Sequence, residues 1–235
     1  MADIEARKHT VRAFDEDLAD LSGKIMAMGG IVERQLANAV EALVKRDSET
    51  AEHVIRDDLE VDRIEEQADE LAVRILATRQ PLAVDLRTVA MALKISNDLE
   101  RIGDYATNIA KRVKRINVQE PIKPFMTIPL MGRICSGMVK DVLDAYVERD
   151  AQKALQVWSR DPEVDEYYDQ LFRELVTYIL EDPKLTGACV DLMFVAKNLE
   201  RIGDHCTNIA EEVYFLVTGE QLPVDRPKVD ALNSH

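Results

Sequence analysis

A chain of 235 residues with 46% apolar and 31% charged content has the make-up of a soluble globular protein, not of a disordered one. Its 30 Lys and Arg against 44 Asp and Glu leave a net charge of -14, which opposes nucleic-acid backbones and anionic lipid and favours cations or basic partner surfaces. No apolar run approaches the ~20 residues that span a bilayer, and the N-terminal MADIEARKHT has no apolar signal core, so the expected location is the cytoplasm.

With only 9 Gly and 8 Pro, the composition favours helices over sheets. The first stretch, about 14–45, carries Leu18, Leu21, Ile25, Met28, Val32, Leu36, Val40 and Leu43 at the threes and fours of a core-facing stripe. Asp47 and Ser48 offer a break and an N-cap. A second helix follows through Val54, Val61, Ile64, Ala68, Leu71 and Ile75 and stops near Pro81, where a helix would lose a hydrogen bond. The third runs from about Val84 to Lys114. The segment 117–129, with Pro121, Pro124 and Pro129, reads as the boundary between two domains, 1–120 and 121–235, the second ending in a short tail. Three more stretches follow at about 134–149, 151–181 and 187–217, with Asp161 and Pro162 positioned to restart and kink the middle one.

The order repeats because the sequence does. Residues 99–110 read LERIGDYATNIA and residues 199–210 read LERIGDHCTNIA. Upstream, Val44 to Asp47 parallels Val147 to Asp150, and Glu60-Val61-Asp62 parallels Glu163-Val164-Asp165. The expected fold is all-α: two tandem three-helix bundles related by internal duplication, each with its own modest core.

Each copy carries paired carboxylates. Glu100 and Asp104 stand at i and i+4 on the third helix, and Asp58 and Asp62 do so on the second. Asp62 and Glu100 each lie 19 residues from Pro81, and Asp58 and Asp104 each lie 23, so the four reach matching heights on an antiparallel hairpin. In the second copy Asp165 and Glu200 lie 18 and 17 residues from Pro183, and Asp161 and Asp204 lie 22 and 21. Leu99, Ile102, Ala106, Ile109 and Val113 form the buried stripe, which turns Glu100, Asp104 and Asn108 outward. The candidate metal ligands are therefore Asp58, Asp62, Glu100, Asp104 and Asn108, then Asp161, Asp165, Glu200, Asp204 and Asn208. Oxygen ligands suit magnesium, manganese, calcium or iron rather than a closed zinc site. The candidate cofactor is a divalent or trivalent metal ion: magnesium, manganese, iron or zinc. The plain alternative is a solvated acidic face neutralised by Arg101 and Arg201. Gly103 and Gly203, beside the carboxylates in mid-helix, suggest close approach of a ligand or backbone, or tight helix packing.

Other groups carry less. His205 follows Asp204, but Tyr105 takes its place in the first copy; His9, His53 and His235 read as surface residues. Cys135, Cys189 and Cys206 form no C-x-x-C pair and read as partly buried reduced thiols. No phosphate-binding loop, nucleophile elbow or H-E-x-x-H is present, so no catalytic residue is assigned.

The duplicated LERIGD and TNIA segments, with MAMGGIVERQL in the first helix, RQPLAVDLR at the first inner turn and LVTYILEDPK at the second, resemble the PhoU family of phosphate-transport accessory proteins over about 9–219. The resemblance implies a cytoplasmic homodimer that reaches the inner membrane only through partners. It implies a negative regulator linking the ATPase subunit of a phosphate ABC transporter to a sensor histidine kinase, with metal clusters held by the E/D-x-x-x-D motifs on the bundle surface. An enzymatic alternative is a carboxylate-bridged di-iron oxidase or iron store, although no Glu is followed by His three positions on. A third is a plain dimerisation scaffold whose acidic faces aid solubility.

Overall fold

The computed structural model describes residues 2–119 and 127–223, with side chains from residue 12 onward. The described residues form α1 (Ala2–Lys45), α2 (Ser48–Arg79), α3 (Val84–Ile116), α4 (Thr127–Glu148), α5 (Ala151–Trp158), α6 (Asp161–Glu181), a 3-10 turn (Pro183–Leu185) and α7 (Thr186–Thr218). The chain is all-α: α1, α2 and α3 pack as one three-helix unit, and α4, the α5 and α6 pair, and α7 repeat it. The domain boundary expected at 120 and 121, with Pro121 and Pro124, lies outside the described residues, as do His235 and the side chain of His9.

The bends are duplicated along with the helices. Arg46 and Arg149 both adopt φ 55, and the following Asp47 and Asp150 both cap the next helix. Asp47 Oδ1 accepts from the amides of Glu49 (2.9 Å) and Thr50 (3.1 Å), and Asp150 Oδ1 from Gln152 (2.8 Å) and Lys153 (3.0 Å). Each cap satisfies two orphan donors, a contribution of about 1 kcal/mol. Arg46 also closes the far end of its bundle by donating to the carbonyls of Ile116, Asn117 and Gln119 at the end of α3.

Two boundaries differ from expectation. The stretch 151–181 is broken outright at Ser159 and Arg160, not merely kinked. Arg160 takes the cap position and Asp161 and Pro162 open α6, where the missing proline amide removes no helical bond. Pro129 likewise falls in the first turn of α4 instead of in the linker, for the same reason.

The core is continuous, where two separate cores were expected. Leu99, Ile102, Ala106, Ile109 and Val113 are fully buried, and so are their counterparts Leu199, Ile202, Cys206, Ile209 and Val213. Burial of each large side chain among them contributes about 1.5–3 kcal/mol. The most extensive helix pairing is between α3 and α7, which run antiparallel: Arg87 meets Phe215, Asp98 meets His205, Tyr105 meets Arg201 and Arg112 meets Asp191. A second joint crosses α1 and α4. A Cβ on Gly29 would stand 2.6 Å from Leu143 Cδ1, and one on Gly132 would stand 2.7 Å from Val40 Cγ2. Gly29 corresponds to Gly132 and Val40 to Leu143 in the duplication, so each copy seats a side chain of the other in a glycine notch.

Candidate functional site

The hairpin of α2 and α3 gathers Asp58, Asp62, Glu100 and Asp104. Asp58 is half-buried and its carboxyl is raised above the usual range, first by burial and then by the charges of Asp104 and Asp62, while a hydrogen bond from the Thr107 hydroxyl opposes the rise. Glu100 is pushed up to about 7 by burial and by Asp104, with Glu65 and Asp62 adding and Arg101 opposing. Its Oε2 is buried without a hydrogen-bond partner. Arg101 Nε stands 3.4 Å from that oxygen, and Arg101 Nη1 stands 3.3 Å from Asp104. Those separations exceed the ~2.7–2.9 Å of a strong charge-assisted bond, so Arg101 leaves much of the repulsion in place.

The second hairpin repeats the carboxylates and answers them differently. Asp204 is pushed up to about 6 by burial and by Glu200, Asp161 and Asp165, and Asp165 is raised by burial and by Asp161 and Glu200. Asp161, expected on the outside of the bundle, is buried at the start of α6. Lys197 Nζ grips both oxygens of Glu200, at 2.6 and 2.5 Å, and lies over the ring of Tyr168. The first copy has Asn97 at this position, which instead hydrogen-bonds Glu65. The second patch thus has an ammonium in direct contact with a carboxylate, whereas in the first Lys111 acts on Asp58 only from a distance.

Mutual electrostatic influence links Asp58, Asp62, Glu100 and Asp104 on the first hairpin and Asp161, Asp165, Glu200 and Asp204 on the second. Asn108 and Asn208 have other neighbours: Asn108 lines a cleft with Lys111 and Arg112, and Asn208 Nδ2 lies 3.4 Å from Asp98. His205 turns to α3, where its Nδ1 is 2.5 Å from Asp98 Oδ1 and its ring lies 5.5 Å from that of Tyr105. Glu65, Thr107 and Lys197 belong to the patches without having been anticipated. Glu65 was legible as the residue one turn beyond Asp62, and Lys197 as a charge change between otherwise matching copies. Gly103 and Gly203 lie against neighbouring helices: a Cβ at Gly103 would lie 3.3 Å from Gln35 Oε1 and 3.7 Å from Asp58 Oδ1, and one at Gly203 would make ordinary contact with Val164 at 3.5 Å.

Chemically, the patches offer carboxylate oxygens on the faces turned from the apolar stripe. Among the described residues, no three His, Cys, Asp or Glu side chains converge into a ready ligand set. The three cysteines are buried and free, with burial pushing the Cys135 thiol up to about 12. No helix among the described residues is long and apolar enough to cross a membrane.

The sequence profile of the PhoU domain matches residues 25–113 and again 128–213, one match to each half of the duplication. The phosphate-specific transport system accessory protein PhoU homolog of Caulobacter vibrioides is 48% identical over 96% of this chain and 99% of its own length. The homologue of that name in Zymomonas mobilis is 52% identical over 92% of this chain and 91% of its own. The crystal structure of PhoU from Pseudomonas aeruginosa superimposes with a TM-score of 0.85 at 41% identity, covering 88% of this chain and all of that one. A PhoU from Streptococcus pneumoniae, titled a phosphate transport system regulatory protein, gives 0.83 at 29% identity over 90% of this chain. Helix order, duplicated hairpins and full-length likeness agree, and the chain belongs to the PhoU family.

Proposed function

We propose that the chain is a non-enzymatic adaptor that restrains phosphate uptake and phosphate-starvation signalling. With phosphate plentiful it acts as a cytoplasmic homodimer bridging the ATPase subunit of a phosphate ABC transporter and the sensor histidine kinase of the phosphate two-component system. The observation that carries this reading is a match over 96% of the chain to a relative named as an accessory protein of a phosphate-specific transport system. The net charge of -14 supports it as well, since an acidic surface is complementary to basic partner surfaces.

The first patch fits a hard cation by its donors and by the buried Oε2 of Glu100, which has no hydrogen bond and only a long contact to Arg101. Asp58, Asp62, Glu100 and Asp104 would hold it, and Asp161, Asp165, Glu200 and Asp204 would hold a second only where Lys197 gives way. A bound magnesium, manganese, iron or zinc ion would supply the positive charge that Arg101 supplies only weakly. The residues themselves crowd four carboxyls on one hairpin, which raises Glu100 to about 7, while a hydrogen bond from Thr107 favours the ionised form of Asp58.

Deleting the gene and reading a phosphate-starvation reporter in high phosphate tests the adaptor. Derepression, reversed by the intact gene, is expected; a reporter that stays silent overturns the reading. Complementation with Glu100→Ala/Asp104→Ala, with metal content measured on protein purified without a metal-affinity step, tests the cation: loss of metal is expected, and unchanged metal content removes the first patch as its site.

A further inference from the structure

An open cleft of about 390 Å³ lies between the later turns of α3 and the early turns of α7, lined by Asn108, Lys111, Arg112, Arg115, Phe194 and Asn198. In a chain of net charge -14 this is a local concentration of positive charge. Beside it, the buried Asp191 takes Arg112 Nη1 at 2.8 Å, Arg115 Nε at 3.5 Å and Gln119 Nε2 at 3.1 Å. Three cations against that carboxylate leave two positive charges, and Asp58 on α2 is a further acid within electrostatic reach of Lys111.

The lining is arranged to receive something. The Arg112 guanidinium lies 4.2 Å from the centre of the half-exposed Phe194 ring, which holds its fork in place. Lys111 makes no ion pair or hydrogen bond with a described residue, and the Arg115 side chain is 64% exposed with a long contact to Asp191. Asn198 gives one amide hydrogen to the Phe194 carbonyl at 2.6 Å and keeps the other. Duplication alone does not account for this set. At the opposite end of the α3 and α7 pairing, Glu211, Glu212, Lys94 and Asp98 stand where Lys111, Arg112, Phe194 and Asn198 stand here.

We infer that this cleft binds a phosphoryl dianion, as free phosphate or as the phosphate of a nucleotide, through Lys111, Arg112 and Arg115 with the Asn108 and Asn198 amides as neutral donors. With Asp191 and Asp58 both counted the cleft keeps an excess of positive charge, carried by the exposed Lys111 and Arg115, and guanidinium forks suit tetrahedral oxyanions. With a nucleotide the Phe194 ring adds a stacking face. The site stands on the cleft alone and not on the adaptor reading.

Calorimetric titration of the full chain in EDTA, with inorganic phosphate and separately with adenosine diphosphate, tests it; the chelator removes any phosphate held through metal at the acidic patches. One saturable site per chain is expected. Lys111→Ala/Arg115→Ala should weaken it at least about tenfold, and Lys114→Ala, whose charge pairs with Glu52 at 2.7 Å, should hold it within about twofold. Saturation by phosphate assigns the free ion; saturation by the nucleotide alone, weakened by Phe194→Ala, assigns a nucleotide phosphate. Binding of neither probe, or binding that Lys111→Ala/Arg115→Ala leaves unchanged, overturns the inference. Both truncated side chains are exposed, so a melting curve matching the parent's verifies that the variant is folded.

Discussion

Glu212, on α7, is held in the wrong charge state for neutral water. Burial, then the charge of Asp98, with Lys94 opposing and Glu211 adding, pushes its carboxyl up to about 8, and its Oε2 has no hydrogen-bond partner. In the unfolded chain the group ionises near its ordinary 4.5, so between that value and about 8 unfolding releases a proton that folding retains. Stability from this group is full below pH 4.5 and falls as pH rises through about 8. Glu212→Gln should therefore flatten the pH profile, with little change at pH 4 and a gain of about 1 kcal/mol at pH 8, read as a melting shift of roughly 2–4 °C. Sequence could not have flagged Glu212. It belongs to no motif, its counterpart is Arg112, and its surroundings come from α3, more than a hundred residues away. That Glu100 feels Asp104 and Asp62 was legible, because helix period and distance from a proline bend are both local quantities.

The joint between α1 and α4 depends on two glycines that have no room to grow. Gly132→Ala would drive a methyl into Val40, and Gly29→Ala would drive one into Leu143. Each should cost about 1–3 kcal/mol in urea denaturation despite the better helix propensity of Ala. Trimming the opposing knob, Val40→Ala with Gly132→Ala, should show a coupling of about 0.5 kcal/mol or more in a double-mutant cycle. The helices were readable from apolar spacing and prolines, and the duplicated bends from Asp47 and Asp150. The break at Ser159 and Arg160 was only half readable, because Pro162 announces the start of α6 but nothing local ends α5. The notches themselves were invisible, since Gly29 and Gly132 sit in ordinary helical sequence and are explained only by what crosses them.

At the scale of the molecule, the two copies share one continuous core. Residues 1–119 alone would expose the faces of α1 and α3 that now meet α4 and α7, and should run on size exclusion as a self-associated or aggregated species. A stable, cooperative monomer would contradict this account of the core. Chain length allows two modest cores, and apolar stripes cannot say whether an apolar face turns inward or toward a neighbour. The antiparallel pairing of α3 and α7 has a further consequence. Two unlinked chains of a single repeat, related by a twofold axis, would have to present identical ends. Linking the copies in tandem removes that obligation, because residues meeting at one end are no longer the same positions as those meeting at the other. The tandem chain is accordingly polar along this pairing, with Lys111, Arg112 and Arg115 at one end and Glu211, Glu212 and Asp98 at the other.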